Sequence, residues 1–154
     1  MIFEEEYKKY EKSLFLIAVA YLRNTEDARD VLQDAALSAY VAFGSLRNKE
    51  YFKTWLTRIV INKCKNYLKS RRISEELDDR LNSFYTIPVE EMEIMDAICR
   101  MDSAQSVYIT MKFYNDMTYE EMAKALRLPA STVKYRTKNA LSELKKLWEE
   151  DKNE

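Results

Sequence analysis

This 154-residue chain contains one glycine, Gly44, and two prolines, Pro88 and Pro129. No other sequence feature restricts the fold so strongly. Tight turns between strands draw on glycine for positive φ and on proline for a preset φ, and this chain has almost none of either. Leu, Lys, Glu, Met and Ala, all good helix formers, are abundant instead. The expectation is an all-α protein. An apolar fraction of 47% with 33% charged residues is ordinary for a soluble globular chain, and the length suits one domain or two small ones.

Hydrophobic periodicity places the helices. Tyr7, Tyr10, Leu14, Ile17, Ala18, Tyr21 and Leu22 recur at helical spacing. "RNTED" at 23–27 interrupts them, with Thr25 as an expected N-cap and Glu26 and Asp27 in the favourable first turn. A second helix follows with Ala28, Val31, Leu32, Ala35, Ala39 and Ala42 as its seam, and Gly44 is expected to end it. After the basic loop "SLRNKE", a third helix is predicted from about Tyr51 to Arg72, with Phe52, Leu56, Ile59, Val60 and Tyr67 inward.

Residues 73–90 lose the period, turn acidic and contain Pro88, which reads as a linker. Four shorter helices are predicted beyond it, at about 91–101, 104–115, 118–126 and 130–150. Thr118 and Glu121 form a capping box, and Pro129 can open the last helix. Two helices joined by so short a turn are the helix-turn-helix pattern. The domains are therefore expected at 1–72 and 91–154.

Several function classes are excluded or made unattractive. There is no histidine, which removes His-based acid–base and nucleophile chemistry and most zinc sites. No cofactor is expected, and the chain does not read as an enzyme. Cys64 and Cys99 form no CxxC pair or disulfide framework, which suits a reducing cytosol. The longest apolar run, "LFLIAVAYL" at 14–22, is too short to cross a bilayer, and no signal peptide is expected. Cytoplasmic localisation without membrane insertion follows as an expectation.

A net charge of −1 conceals segregation. Residues 35–72 hold nine cations and one anion, whereas 73–102 hold two cations and nine anions. Blocks of this kind suggest separate surfaces for separate partners. On the third helix Arg58, Asn62, Lys65, Asn66 and Lys69 share one face. Cations there attract phosphate, and the two amides offer paired donors and acceptors to base edges. The preceding loop mixes Lys49 and Glu50 with Tyr51 and Phe52, a combination suited to unstacked bases. Phe52 and Trp55 can alternatively belong to the core.

On the last helix Val133, Thr137, Ala140, Leu141, Leu144 and Trp148 make an apolar stripe. Ser131, Lys134, Tyr135, Arg136, Lys138, Asn139 and Ser142 lie opposite or flank it, where a recognition helix presents side chains to the major groove. Asp27, Asp30 and Asp34 share a face of the second helix, with Gln33 beside them. Helix-dipole compensation accounts for Asp27 but poorly for Asp34, which a basic protein partner explains better.

The segments "DARDVLQDA" at 27–35, "FKTWLTRIVINKCKNYLKSRR" at 52–72 and "MTYEEMAKALRLPASTVKYRTKNALSEL" at 117–144 together resemble bacterial RNA polymerase sigma factors of the sigma-70 family, in the small extracytoplasmic-function (ECF) group. The resemblance implies two helical domains, regions 2 and 4, joined by a flexible linker that threads toward the polymerase active centre. It implies contact with core RNA polymerase, through Asp30, Gln33 and Asp34 on the clamp coiled coil of the beta-prime subunit, and with the beta subunit. It implies recognition and melting of the −10 promoter element by Lys49, Glu50, Tyr51, Phe52, Arg58, Asn62, Lys65, Asn66 and Lys69. It implies reading of the −35 element as duplex by Ser131, Thr132, Lys134, Tyr135, Arg136, Lys138 and Asn139. An anti-sigma factor is a further expected partner. The chain departs from the family pattern at "MDSAQS" (101–106), and at Arg127, Ser131 and Tyr135. If the turn before the last helix needs a left-handed residue, Arg127 must adopt it under strain.

Two other readings of the same residues remain open on sequence. A stand-alone helix-turn-helix regulator would bind duplex DNA as a dimer and leave 27–72 without a special role. A helical protein-interaction adaptor would show no salt-dependent affinity for DNA.

Overall fold

A computed structural model describes residues 2–74 and 92–152, with side chains resolved from 2 to 71 and from 96 to 150. All regular structure among these residues is helical. The helices are α1 (Phe3–Leu22), α2 (Thr25–Ala42), α3 (Phe52–Ser74), α4 (Met92–Arg100), α5 (Ser103–Ile109), α6 (Tyr119–Leu126) and α7 (Ala130–Lys152). Short 3-10 turns at Phe43–Ser45 and Lys49–Tyr51 join α2 to α3. Helix α5 runs on into a π-helical segment, Thr110–Tyr114, for which the sequence carries no signal. Helix α3 continues two residues into the stretch expected as linker; positions 75–90 of that stretch lie outside the described residues.

The first three helices pack around one another. Leu14, Ile17 and Ala18 of α1, Ala28, Val31, Leu32, Ala35 and Ala39 of α2, and Leu56 and Val60 of α3 are buried, as the periodicity predicts, and Ile61, not expected inward, is buried with them. Ala42, Ile59 and Tyr67 are only half-buried. Cys64 joins this core, where burial pushes its thiol up to about 12, so it remains a neutral packing group. In the C-terminal half α5, α6 and the N-terminal part of α7 bury Val107, Ile109, Met122, Ala125, Val133, Thr137, Ala140 and Leu144. Leu141, placed in the apolar stripe by sequence, is 44% exposed and does not belong to it.

The helix ends follow local chemistry, with two corrections. Asn24, not Thr25, is the N-cap of α2; its extended backbone lets Oδ1 accept from the Asp27 amide at 2.9 Å. Gly44 does not adopt a left-handed cap, because the chain leaves α2 through a 3-10 turn and no glycine has positive φ. The Thr118–Glu121 capping box forms as expected: Thr118 Oγ1 accepts from the Glu121 amide at 3.1 Å and Glu121 Oε1 from the Thr118 amide at 2.9 Å. Arg127 ends α6 at φ 56, ψ 47, the left-handed conformation the turn demands. A residue with a Cβ there costs about 1–2 kcal/mol.

The two halves also pack on each other, α1 against α5 and α3 against α6. Their buried apolar side chains form one continuous cluster. The sequence gives no indication of this contact.

Candidate nucleic-acid interface

The loop before α3 is held from beneath. Phe52 is 2% exposed and lies at the centre of an aromatic cluster. Its ring centroid is 5.9 Å from Phe3, 5.8 Å from Phe43, 6.1 Å from Tyr10 and 5.9 Å from Trp55, and the Phe43 contact is perpendicular. Edge-to-face packing of this kind fixes ring positions beyond what burial alone does. Phe52 therefore does not stand with Lys49, Glu50 and Tyr51 as a surface for bases; it is the core residue on which the loop rests. Trp55 is half-buried against the same cluster.

Above the cluster, Asn48 Oδ1 accepts from the Glu50 amide at 3.0 Å and caps the Lys49–Tyr51 turn. The Lys49 ammonium donates to the Phe43 carbonyl at 3.0 Å and lies 3.8 Å from the Phe43 ring centroid. Its charge is thus held at the loop rather than swinging freely. Glu50 and Tyr51 are exposed.

Along α3 the expected face is present. Asn62, Lys65, Asn66 and Lys69 are exposed and Arg58 is half-buried. They recur every three or four residues, while Leu56, Val60, Ile61 and Cys64 occupy the opposite, buried side. A cationic ridge bearing two amides is chemically able to neutralise phosphates and to exchange hydrogen bonds with base edges.

The acidic face of α2 divides in two. Asp27 is 5% exposed and its Oδ2 accepts from Arg71 Nη1 at 3.2 Å, so it ties α2 to the end of α3. Asp30, Gln33 and Asp34 are exposed. Asp34 Oδ2 lies 3.1 Å from Lys63 Nζ. At this exposure the pair contributes little to stability and leaves Asp34 able to exchange partners. Gln33 borders an open groove of about 730 Å³ between α1 and α2, whose wall includes Phe15 and Arg29. Lys63 was not recognised from sequence, because its role depends on helix pairing.

In the C-terminal half α6 and α7 form a helix-turn-helix. The turn is closed by the Leu128 amide donating to the Ala123 carbonyl at 3.0 Å, and the Val133 amide bonds back to the Pro129 carbonyl at 3.1 Å. Ser131, Lys134, Tyr135, Arg136, Lys138 and Asn139 are exposed and Thr132 is half-buried. Tyr135 is 68% exposed, which is unusual for an aromatic ring without a partner surface. Arg136 donates to the Tyr108 hydroxyl at 3.1 Å, which orients it along the edge of the face.

Two basic helix faces on two helical units thus accompany an acidic face on α2. The sigma-70 region 2 family model matches residues 7–73 and the sigma-70 region 4 model matches residues 91–144. Together they take up more than three quarters of the chain.

The chain belongs to the sigma-70 family.

It falls in the ECF group of that family. Among its relatives are the RNA polymerase sigma factor SigV of Bacillus subtilis, 24% identical over 86% of this chain and 82% of the relative. The ECF RNA polymerase sigma factor SigM of Mycobacterium tuberculosis is 28% identical over 94% of this chain and 76% of the relative. The fold matches that of the sigma factor RpoE of Bartonella quintana, solved in complex with the anti-sigma factor NepR, with a TM-score of 0.75, 20% identity and 96% of both chains covered. It also matches CnrH in complex with the cytosolic domain of CnrY, with a TM-score of 0.71, 22% identity and 97% and 88% covered. Both likenesses extend across region 2 and region 4 alike.

Among the described residues no group of His, Cys, Asp or Glu is arranged to hold a metal ion, and no helix is long and apolar enough to cross a membrane.

Proposed function

We propose that this chain is a promoter-specificity subunit that binds core RNA polymerase, directs it to −10 and −35 elements and assists melting, with no catalytic chemistry of its own. The observation that carries the reading is the coexistence of two cationic, amide-bearing helix faces on two domains of a sigma-70 family chain, one above a pinned loop and one behind a helix-turn-helix. On region 2, Asp30, Gln33 and Asp34 meet a basic segment of the beta-prime clamp coiled coil, while region 4 engages the beta subunit. Lys49, Glu50 and Tyr51 with Arg58, Asn62, Lys65, Asn66 and Lys69 meet the −10 element; Phe52 supports them from within. Extracting a base from the stack costs a few kcal/mol, which the ring of Tyr51 and the cationic ridge offset. On region 4, Ser131, Thr132, Lys134, Tyr135, Arg136, Lys138 and Asn139 meet the −35 duplex.

Such a factor works in the cytoplasm, and an anti-sigma factor is its expected inhibitor, as the complexes of its structural neighbours suggest. A stand-alone regulator leaves the acidic face of α2 and the pinned loop without a role, and an adaptor leaves both cationic ridges without one. Affinity capture of core polymerase followed by run-off transcription tests the reading. The sigma reading expects capture and a promoter-dependent transcript. Tight duplex binding without capture would favour the regulator, and neither capture nor DNA affinity would favour the adaptor.

A further inference from the structure

The polar face of α7 carries one ring that nothing in the chain covers. Tyr135 is 68% exposed, against 57% for Tyr40 and 51% for Tyr51, and is the most exposed of the described tyrosines. No ring contact or side-chain hydrogen bond holds it among the described residues. The other two exposed rings are engaged. Tyr40 packs edge-on against Phe3, and the Lys124 ammonium lies over Tyr51.

Its place on the helix restricts what it can meet. Successive residues turn by about 100°, so Lys134 and Arg136 flank Tyr135 on opposite sides, and both are exposed. Ser131 and Ser142 lie close to its own line, four residues before it and seven after. Both serines are too short to keep the ring from a surface laid against this face. Arg136 is anchored: it donates to the hydroxyl of Tyr108, a residue only 6% exposed, at 3.1 Å. That bond holds the guanidinium to the flank. A ring straddled by two cations suits a major groove about 12 Å wide. The cations face the phosphates along its walls, and the ring faces its floor.

The chemistry of the floor selects the partner. Base edges in the major groove present hydrogen-bonding groups, with one apolar exception, the C5 methyl of thymine. A phenol ring is an apolar body with one polar tip. Against that methyl, apolar surface leaves water on both sides. Against the amino and carbonyl groups of the other bases, the ring would displace water without replacing its hydrogen bonds.

We propose that Tyr135 is a specificity-determining residue of the −35 contact: its ring packs on the methyl group of one thymine and so selects thymine at one base pair. The inference rests on the promoter reading above and adds to it the identity of a base and the group that reads it. Tyr135 is one of the positions at which the chain departs from the family pattern, so the preference belongs to this chain.

Holoenzyme assembled from core polymerase and the full chain tests the contact. Fragments that it selects from a random-sequence duplex library should share a −35 element with thymine at one position. The thymine should persist with Tyr135→Phe and vanish with Tyr135→Ser, while all three chains capture core polymerase equally. On a selected fragment, replacing that thymine by deoxyuridine removes only the methyl. Wild type and Tyr135→Phe should then bind about four-fold more weakly, the factor for one buried methyl group. Tyr135→Ser should bind both fragments alike.

A wild type indifferent to the methyl at every −35 thymine would overturn the proposal. So would a full methyl effect in Tyr135→Ser, which would assign the methyl to another side chain. Loss of the preference in Tyr135→Phe as well would assign the contact to the hydroxyl and overturn the proposal too. If selection returns no shared −35 element, the promoter reading fails and the proposal falls with it. A shared −35 element without methyl dependence removes the proposal alone.

Discussion

Helices α3 and α7 are each 23 residues long and each carries lysine and asparagine on an exposed face. They differ in what precedes them. Helix α3 follows a loop pinned over the Phe52 aromatic cluster, and its cations and amides occupy the middle turns. Helix α7 follows a three-residue turn from a capped partner helix, and its polar face begins in the first turn. The same residue types therefore acquire different work. A face behind a rigid aromatic-backed loop suits a strand whose bases have left the stack, whereas a face at a helix N-terminus suits insertion into a duplex groove.

The comparison can be broken most forcefully at Phe52. If the loop depends on its core, Phe52→Ala should destabilise region 2 by about 3–5 kcal/mol, read as loss of Trp55 fluorescence at lower denaturant. A small loss of stability with a selective loss of single-strand affinity would return Phe52 to the surface. At α7, Lys138→Ala and Asn139→Ala should each weaken −35 duplex binding by about 1–3 kcal/mol, ten-fold or more at the midpoint, measured as holoenzyme affinity for promoter fragments. Transcription from a pre-melted template with an intact −10 element should change much less. Equal losses on both templates would erase the division of labour.

The smallest effect is at the turn itself. Arg127→Gly should relieve the left-handed strain and stabilise the helix-turn-helix by up to about 1 kcal/mol, seen as a raised thermal midpoint with DNA affinity preserved. A lowered midpoint would show that the arginine side chain contributes more than its backbone costs.

How much of this was legible in the sequence depends on the range of the interaction. Helix number and approximate ends follow from periodicity and from local caps, and the capping box at Thr118 needs only neighbours three residues apart. The N-cap of α2 slipped by one position because Asn24 and Thr25 are both capable and only the backbone decides between them. Faces defined by one helix were readable, so Asn62 and Asn66 appear on the surface where helical spacing puts them. What required pairing was not readable. The burial of Asp27 depends on Arg71 and that of Phe52 on Phe3 and Phe43. Leu141 is exposed because the packing partners of α7 do not cover that position. The contact between the two halves joins Arg23 to Ser106 and Ser13 to Asn115, pairs 83 and 102 residues apart, for which a single sequence holds no period and no motif.

The central claim is that α3 opens the promoter while α7 only docks on it. Permanganate reactivity of unpaired thymines in the −10 region, measured on holoenzyme–promoter complexes matched for occupancy, tests it most directly. Asn62→Ala/Asn66→Ala should retain core binding and promoter occupancy yet lose most of the thymine reactivity, whereas Lys138→Ala/Asn139→Ala at restored occupancy should show reactivity like the wild type. Full reactivity in the α3 variant, or loss of reactivity in the α7 variant at equal occupancy, would contradict the account.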